Sequence, residues 1–139
     1  MNHDSYPPHY TTDILKSVKV IALVGASQNA ARPSYGVMKF LISKGYTVIP
    51  VNPGLAGQDI LGQRVYATLA DVPQPIDMID IFRNSEAAGG VVLEALALQT
   101  LPRIIWMQLE VRHDEAARKA EMAGLQVVMN RCPAIELHH

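Results

Sequence analysis

The sequence predicts a single doubly wound α/β domain, in which helices cover both faces of a five-stranded, mostly parallel sheet. Five short apolar segments alternate with segments whose apolar residues recur at helical spacing, which is the order of a parallel sheet with crossover helices. The apolar segments are nearly continuous, as in residues 19–24, and this is typical of strands buried on both faces. The length of 139 residues suits one domain. The expected topology is therefore Rossmann-like.

The amino-terminal part of the chain is predicted to enter this sheet through a short helix. Residues 1–12 are polar and contain adjacent prolines, so we predict a flexible leader there. A helix is expected over 13–18, directly before the first strand at 19–24. Gly25 ends that strand.

The second helix and the second strand have clear boundary signals. Pro33 or Ser34 opens the helix and Gly45 closes it, because proline suits a first helical turn and glycine suits the residue after the last one. The second strand is expected over 46–51. Pro50 places it near a strand end or at an edge of the sheet.

The rest of the chain contains one irregular stretch and then regular alternation. Residues 52–76 are rich in glycine and proline and are predicted to be irregular, with one helical turn at 68–71. The remaining elements are a strand at 77–82, a helix at 85–99, a strand at 103–107, a helix at 113–123 and a strand at 125–129. The folded domain is expected to span 13–137.

Composition excludes several classes of protein. Lys and Arg number 12 against 13 Asp and Glu, a formal charge of −1, whereas nucleic-acid and anionic-membrane partners normally require a basic surface. No apolar run approaches the ~20 residues of a membrane-spanning helix. A single cysteine excludes an intramolecular disulfide framework. We therefore expect a cytoplasmic protein with no nucleic-acid or membrane partner.

Polar donors follow the first strand, where a doubly wound sheet binds its ligand. Such ligands lie beyond the carboxyl ends of the strands. Gly25 lets the backbone turn tightly there, Ser27 and Ser34 add hydroxyl groups, and Arg32 adds a guanidinium. The next helix begins at the same place and offers free backbone N–H groups to an anion. Together these features predict a phosphate-binding site.

The loop lacks the signatures of two common phosphate ligands. A dinucleotide fingerprint requires glycine where this chain has Ser27 and Ala30. Nicotinamide cofactors also need an acid near the end of the second strand, and none occurs before Asp59. No glycine-lysine-serine or glycine-lysine-threonine follows the loop. Both a nicotinamide oxidoreductase and a nucleoside triphosphatase are therefore disfavoured.

Several spaced motifs carry a resemblance to a known family. They are Gly25-Ala26-Ser27, Arg32-Pro33-Ser34-Tyr35, Val51-Asn52-Pro53, Phe82-Arg83-Asn84-Ser85, Trp106-Met107-Gln108 and Asn130-Arg131-Cys132-Pro133. With them the chain, from about residue 18 to 135, resembles the small stand-alone CoA-binding proteins. These in turn resemble the CoA-binding Rossmann domain of the succinyl-CoA synthetase α subunit.

The resemblance implies CoA or an acyl-CoA as the ligand. It implies that the loop from Gly25 to Ser27 contacts the pyrophosphate, with Arg32 and Ser34 near the phosphates, and that the second strand end lies beside the adenosine. The full set of predicted binding residues is Gly25, Ala26, Ser27, Arg32, Ser34, Asn52, Pro53, Phe82, Arg83, Asn84 and Gln108. Members often have lysine where this chain has Gly54, which shifts the contact with the ribose phosphate to Arg32 or another cation.

No catalytic or metal-binding constellation is visible in the sequence. His113 stands at a predicted helix start, where capping explains it, and no His, Cys and carboxylate spacing matches a metal site. We therefore predict non-catalytic CoA binding, as a sensor or regulatory module, with a homodimer or an unknown protein partner left open. Two alternatives remain: an enzyme that handles thioesters through Cys132, and a protein-interaction module that has lost its ligand.

Overall fold

The predicted strands form one parallel sheet in the computed structural model, which describes residues 1–138. The strands are β1 Val20–Val24, β2 Thr47–Val51, β3 Asp59–Ile60, β4 Gln63–Arg64, β5 Met78–Ile81, β6 Ile104–Met107 and β7 Gln126–Val128. Five of them are ordered β2-β1-β5-β6-β7, and every pair is parallel. From β1 the chain first adds β2 on one side and later β5 on the other. The strand order therefore reverses between β1 and β5.

Helices cover both faces of the sheet, which confirms the predicted fold class. They are α1 Tyr10–Ser17, α2 Pro33–Ser43, α3 Ser85–Leu96, α4 Asp114–Met122 and α5 Pro133–Leu137. One buried cluster packs α1, α2 and α5 against the sheet, and another packs α3 and α4 against the opposite face. Within residues 1–138, none of these helices has the length and apolarity needed to cross a membrane.

The interior strand β1 shows why its sequence is apolar at every position. Ile21 and Leu23 enter the cluster beneath α1, α2 and α5, whereas Ala22 and Val24 enter the cluster beneath α3 and α4. Because successive side chains of a strand point to opposite faces, a strand between two layers of helices has no solvent-facing side. Continuous apolarity is the result.

The first helix begins earlier than predicted. It starts at Tyr10, so the predicted boundary between leader and domain, at residue 13, falls inside α1. Thr11 is buried in this added turn, and its hydroxyl donates to Glu136 Oε1 at 2.6 Å. That partner belongs to α5, a helix that the sequence patterns did not predict.

The stretch predicted to be irregular contains a small hairpin. β3 and β4 pair antiparallel, and Ile60 and Val65 are buried beside the main sheet. Tyr66 forms a parallel bridge with Val51, which fixes the hairpin at the carboxyl end of β2. The short turn predicted at 68–71 is present as a 3₁₀ turn, Leu69–Asp71. The longest predicted helix, 85–99, ends at Leu96.

Residues 1–9, which we call the strap, lie beside the exposed edge of β7. Just beyond the strap, Tyr10 donates its hydroxyl to the Val127 carbonyl at 3.0 Å. The hydroxyl of Tyr6 accepts the Met129 N–H at 2.8 Å, and the two tyrosine rings stack with centroids 5.2 Å apart. Burial raises the pKa of Tyr10 to about 12, so its hydroxyl stays a donor. The two tyrosines thus satisfy backbone groups that an edge strand leaves unpaired.

Further contacts fix the strap to α4 and the loop before it. His3 Nδ1 lies 2.8 Å from the Tyr6 hydroxyl, and His3 Nε2 lies 3.2 Å from Glu121 Oε1. The Glu121 carboxylate accepts Nε2–H, and in that tautomer of the imidazole Nδ1 accepts the Tyr6 O–H. Arg112 also binds Asp4 at 2.8 Å. Hydrogen bonds and ion pairs therefore hold the strap against α4 and the loop before it.

Candidate functional site

The loop after β1 lies tightly against the neighbouring strand, and only glycine fits at its start. Gly25 has φ +93°, and a Cβ there would overlap the Phe82 carbonyl oxygen and lie 3.0 Å from its carbonyl carbon. The Gly25 N–H donates to the Val51 carbonyl at 3.0 Å. The backbone at residue 25 is thus held between the ends of β2 and β5, at the reversal in strand order.

A groove opens at this reversal, where doubly wound sheets bind ligands. It is a cavity of about 510 Å³. Its walls are the loop between β1 and α2, the turn after β2 and the end of β5. The lining residues are Gly25, Ala26, Ser27, Arg32, Pro33, Ser34, Asn52, Gly54, Leu55, Phe82 and Arg83.

One wall of the groove presents backbone donors. Within residues 1–138, the N–H groups of Ala26, Ser27 and Ser34 have no acceptor. Ser34 lies in the first turn of α2, whose initial N–H groups lack intrahelical partners and carry the positive end of the helix dipole. The Ser27 hydroxyl accepts the Asn29 N–H at 3.0 Å and shapes the loop. This wall is suited to an anion.

The charges around the groove have one sign. Arg32 and Arg83 line it, and no Asp or Glu is among the lining residues. Both arginine side chains belong to exposed residues, and in the part of the chain that the structure describes neither forms a salt bridge. Two unpaired guanidinium groups next to free N–H donors create a positive potential, and the planar guanidinium can bind a phosphate through two hydrogen bonds.

The opposite wall is held in place by Asn52. Its Nδ2 donates to the Ala26 carbonyl at 2.8 Å, and its Oδ1 accepts the Gly54 N–H at 2.9 Å. Asn52 therefore joins the turn after β2 to the loop after β1. Leu55 and Phe82 add apolar surface to the same groove, which is suited to the flat face of a base.

The structure brings most of the predicted binding residues together. Those that line the groove are Gly25, Ala26, Ser27, Arg32, Ser34, Asn52, Phe82 and Arg83. Three others lie outside its lining. Pro53 begins a 3₁₀ turn, Asn84 caps α3 by accepting the Ala87 N–H at 2.8 Å, and Gln108 is buried with only 6% of its surface exposed.

Three lining residues were absent from the predicted set. Pro33, Gly54 and Leu55 complete the walls. Pro33 and Gly54 directly adjoin predicted residues, so the strand-end rule pointed to their neighbourhood. Leu55 is the apolar residue that follows the Asn-Pro-Gly turn, and an apolar side chain at a ligand-binding turn is the signal that identifies it.

Among residues 1–138, no His, Cys, Asp or Glu lines the groove. His113 Nδ1 accepts the Ala116 N–H at 3.0 Å, which confirms its capping role. Cys132 is buried with 6% of its surface exposed and precedes the first residue of α5, Pro133. Across residues 1–138, no three His, Cys, Asp or Glu side chains converge in a way that would hold a metal ion.

Known proteins are similar to this chain in sequence, and two of solved structure are also similar to it in fold. The YneT protein of Bacillus subtilis strain 168 is 35% identical over 120 residues, which cover 86% of each chain. A Pyrococcus horikoshii protein of known structure is 34% identical with a TM-score of 0.89, over 99% of this chain and 94% of its own. A Thermus thermophilus structure is also 34% identical, with a TM-score of 0.86 over 99% and 98% of the two chains.

A family model described as a CoA binding domain matches residues 19–138. The match covers every strand of the sheet and the whole groove. This chain therefore belongs to the CoA binding domain family, as the sequence motifs predicted.

Proposed function

We propose that the groove binds CoA or an acyl-CoA without catalysing a reaction, so that the protein acts as a sensor or regulatory module. One observation carries the proposal: free backbone N–H groups and two unpaired arginines converge where the strand order reverses. Membership of the CoA binding domain family supports the choice of ligand. A cytoplasmic location, and either a homodimer or an unknown protein partner, belong to the same proposal as expectations from the sequence.

The groove offers separate surfaces for the parts of CoA. The pyrophosphate would accept hydrogen bonds from the N–H groups of Ala26 and Ser27, with Arg32 beside it. Adenine would lie against Leu55. Gly54 supplies no cation for the ribose phosphate, so this phosphate would depend on an arginine at the groove. Arg32 would lie beside the pyrophosphate, which leaves Arg83 for the ribose phosphate. At Gly25, a side chain would clash with the Phe82 backbone and so displace the loop that carries these N–H donors.

The composition of the groove supports binding rather than catalysis. None of its lining residues is His, Cys, Asp, Glu, Lys or Tyr, so it lacks the side chains that usually serve as general acid or base. Ser27 and Ser34 carry hydroxyl groups, but no histidine lines the groove to activate them as nucleophiles. The chemistry available there is recognition of charge and shape.

Calorimetric titration and thermal unfolding with CoA, acetyl-CoA, NAD and ATP test this function. We expect CoA and acetyl-CoA to bind, and a hundredfold excess over the Kd to add about 2.7 kcal/mol to the free energy of unfolding. We expect Cys132→Ser to leave that binding intact. Absence of any CoA effect at millimolar concentration overturns the proposal. Stabilisation by NAD alone would instead favour a dinucleotide enzyme.

A further inference from the structure

Two buried side chains near the groove carry oxygens without a hydrogen-bond partner. Asp80 is completely buried and Gln108 is 6% exposed. In residues 1–138, neither carboxyl oxygen of Asp80 has a partner, and Gln108 Oε1 has none. Because burying a polar group without a hydrogen bond costs free energy, the presence of three such oxygens in neighbouring parts of the sheet requires a reason.

The sheet register places Asp80 and Gln108 close together on one face. Asp80 of β5 pairs with Trp106 of β6, and Gln108 comes two residues after Trp106. The Gln108 N–H donates to the Ile81 carbonyl at 3.2 Å, so the ladder continues to that position. Side chains two residues apart on a strand point to the same face. Gln108 therefore stands on the Asp80 face and is next in the register to Phe82, which lines the groove.

The surroundings of Asp80 favour the protonated form of its carboxyl group. Its neighbours in the register are Leu23 and Trp106, both fully buried. Burial raises the pKa of Asp80 well above its usual value, because a carboxylate without a partner is unfavourable in apolar surroundings. A neutral carboxyl group has one O–H donor. Gln108 Oε1 is the buried acceptor that lacks a donor.

We propose that the Asp80 carboxyl donates its hydrogen to Gln108 Oε1 and so holds the Gln108 amide nitrogen toward the groove, as a donor to the ligand. This inference rests on the proposed function. The phosphates would lie at the arginine side, whereas Gln108 follows β6, one strand further along the sheet. A neutral N–H donor there suits a carbonyl oxygen in the phosphate-free arm of CoA, which carries amide groups. Asp80 is thus a positioning residue, and Gln108 distinguishes CoA from its nucleotide part.

Two ligands and three variants test this inference by calorimetric titration. The ligands are CoA and adenosine 3′-phosphate 5′-diphosphate, which is the same nucleotide without the arm. Asp80→Leu removes the donor, Gln108→Leu removes the amide, and Asp80→Asn replaces the carboxyl with a neutral group that still donates. We expect the two leucine variants to bind CoA about tenfold more weakly, the size of one hydrogen bond. Their affinity for the nucleotide should not change, and Asp80→Asn should keep the affinity for CoA.

The outcomes separate this inference from the proposed function. If the unmodified protein binds neither ligand, the proposed function fails and the inference fails with it. If it binds both and the leucine variants weaken both equally or neither, only the Asp80 and Gln108 assignment is overturned. If Asp80→Leu does not fold, the affinities of Gln108→Leu for the two ligands still test the assignment. Gln108 lies at the end of the sheet, where we expect the substitution to leave the fold intact.

Infrared spectroscopy gives a readout that does not depend on the ligand. The unmodified protein should show the carbonyl stretch of a protonated carboxylic acid at neutral pH. This band should be missing in Asp80→Asn and should shift in Gln108→Leu, which removes its hydrogen-bond partner. A spectrum without the band, or a band that Gln108→Leu leaves in place, overturns the proposed contact.

Discussion

The groove and the strap contain similar polar side chains but use them in opposite ways. At the strap, Arg112 binds both Asp4 and Asp114 at 2.8 and 2.7 Å, and the guanidinium of Arg131 lies 5.0 Å from the centre of the Tyr6 ring. At the groove, Arg32 and Arg83 have no acidic partner in the described chain. One region satisfies its polar groups internally, and the other leaves them free.

This difference separates residues that stabilise the fold from residues that bind a ligand. Hydrogen bonds made within the chain add modestly to the free energy of unfolding, whereas donors kept free add to affinity when an anion arrives. Replacing a strap residue should therefore change stability without changing ligand binding. Replacing a groove arginine should do the reverse.

Gly25→Ala should have the largest effect, because it alters both properties at once. The new methyl group would overlap the Phe82 carbonyl oxygen, and the positive φ costs roughly 1–3 kcal/mol more for a side chain. We expect CoA binding to be lost and the midpoint of thermal unfolding to fall. Gly45→Ala is the matched control, since Gly45 has φ +96° and no atom within 4 Å of the new Cβ. It should share the backbone strain and keep full affinity. Equal effects of the two substitutions on binding would refute a steric role for Gly25.

Arg32→Ala and Arg83→Ala should each weaken CoA binding about 10- to 100-fold, the range for hydrogen bonds to charged groups. Their unfolding midpoints should match that of the unmodified protein, because neither arginine has an ion-pair partner among the described residues. Arg118→Ala, an exposed arginine that lies away from the groove, is the control for the loss of one positive charge. Titration calorimetry measures the affinities. A loss of affinity in the Arg118 variant as large as in the other two would show that net charge, and not the groove, attracts the ligand.

The sequence predicted the groove better than it predicted the strap, for a physical reason. Apolar runs locate the strands, and the ends of parallel strands meet at one edge, so Gly25, Ser27 and Arg32 follow from local patterns, whereas Phe82 came from the family resemblance. The contacts of Tyr6 and Thr11 involve residues more than a hundred positions away. No local pattern contains such partners.

The periodicity of apolar residues could not predict two other features. The hairpin of β3 and β4 has strands of only two residues each, too short to show an alternating pattern. Asp80 lies in a strand that was correctly predicted, but its burial depends on packing from both neighbouring strands and the helices above. From the sequence, an aspartate near a strand end is expected to face solvent.

Asp80→Asn should raise stability, and the gain should grow with pH. The folded protein binds the Asp80 proton more tightly than the unfolded chain does, because burial raises the pKa of this carboxyl. Stabilisation from that proton is complete below about pH 4, where the unfolded carboxyl titrates, and is lost as pH rises toward the folded pKa. Asparagine has no such dependence. Thermal unfolding should be measured from pH 4 to pH 8. The two proteins should have nearly equal unfolding midpoints at pH 4, and the midpoint of the variant should exceed that of the unmodified protein by more as the pH rises.

A constant difference between the two proteins across that range would mean that folding does not raise the pKa of Asp80. Ligand affinity provides the second comparison. Because Asp80→Asn keeps a donor, CoA should bind the variant as before, and the substitution should therefore move stability alone.

Tyr6→Phe should have the smallest effect and should be confined to the strap. It keeps the ring that stacks on Tyr10 but removes the acceptor for the Met129 N–H and the donor to His3. We expect a loss of about 1–2 kcal/mol in the free energy of unfolding, measured by urea denaturation, and unchanged CoA affinity. Tyr10→Phe, which gives up only the bond to the Val127 carbonyl, should lose about half as much. Weaker CoA binding in either variant would show that the strap and the groove are energetically coupled. Stability and ligand binding would then not depend on separate regions of the protein.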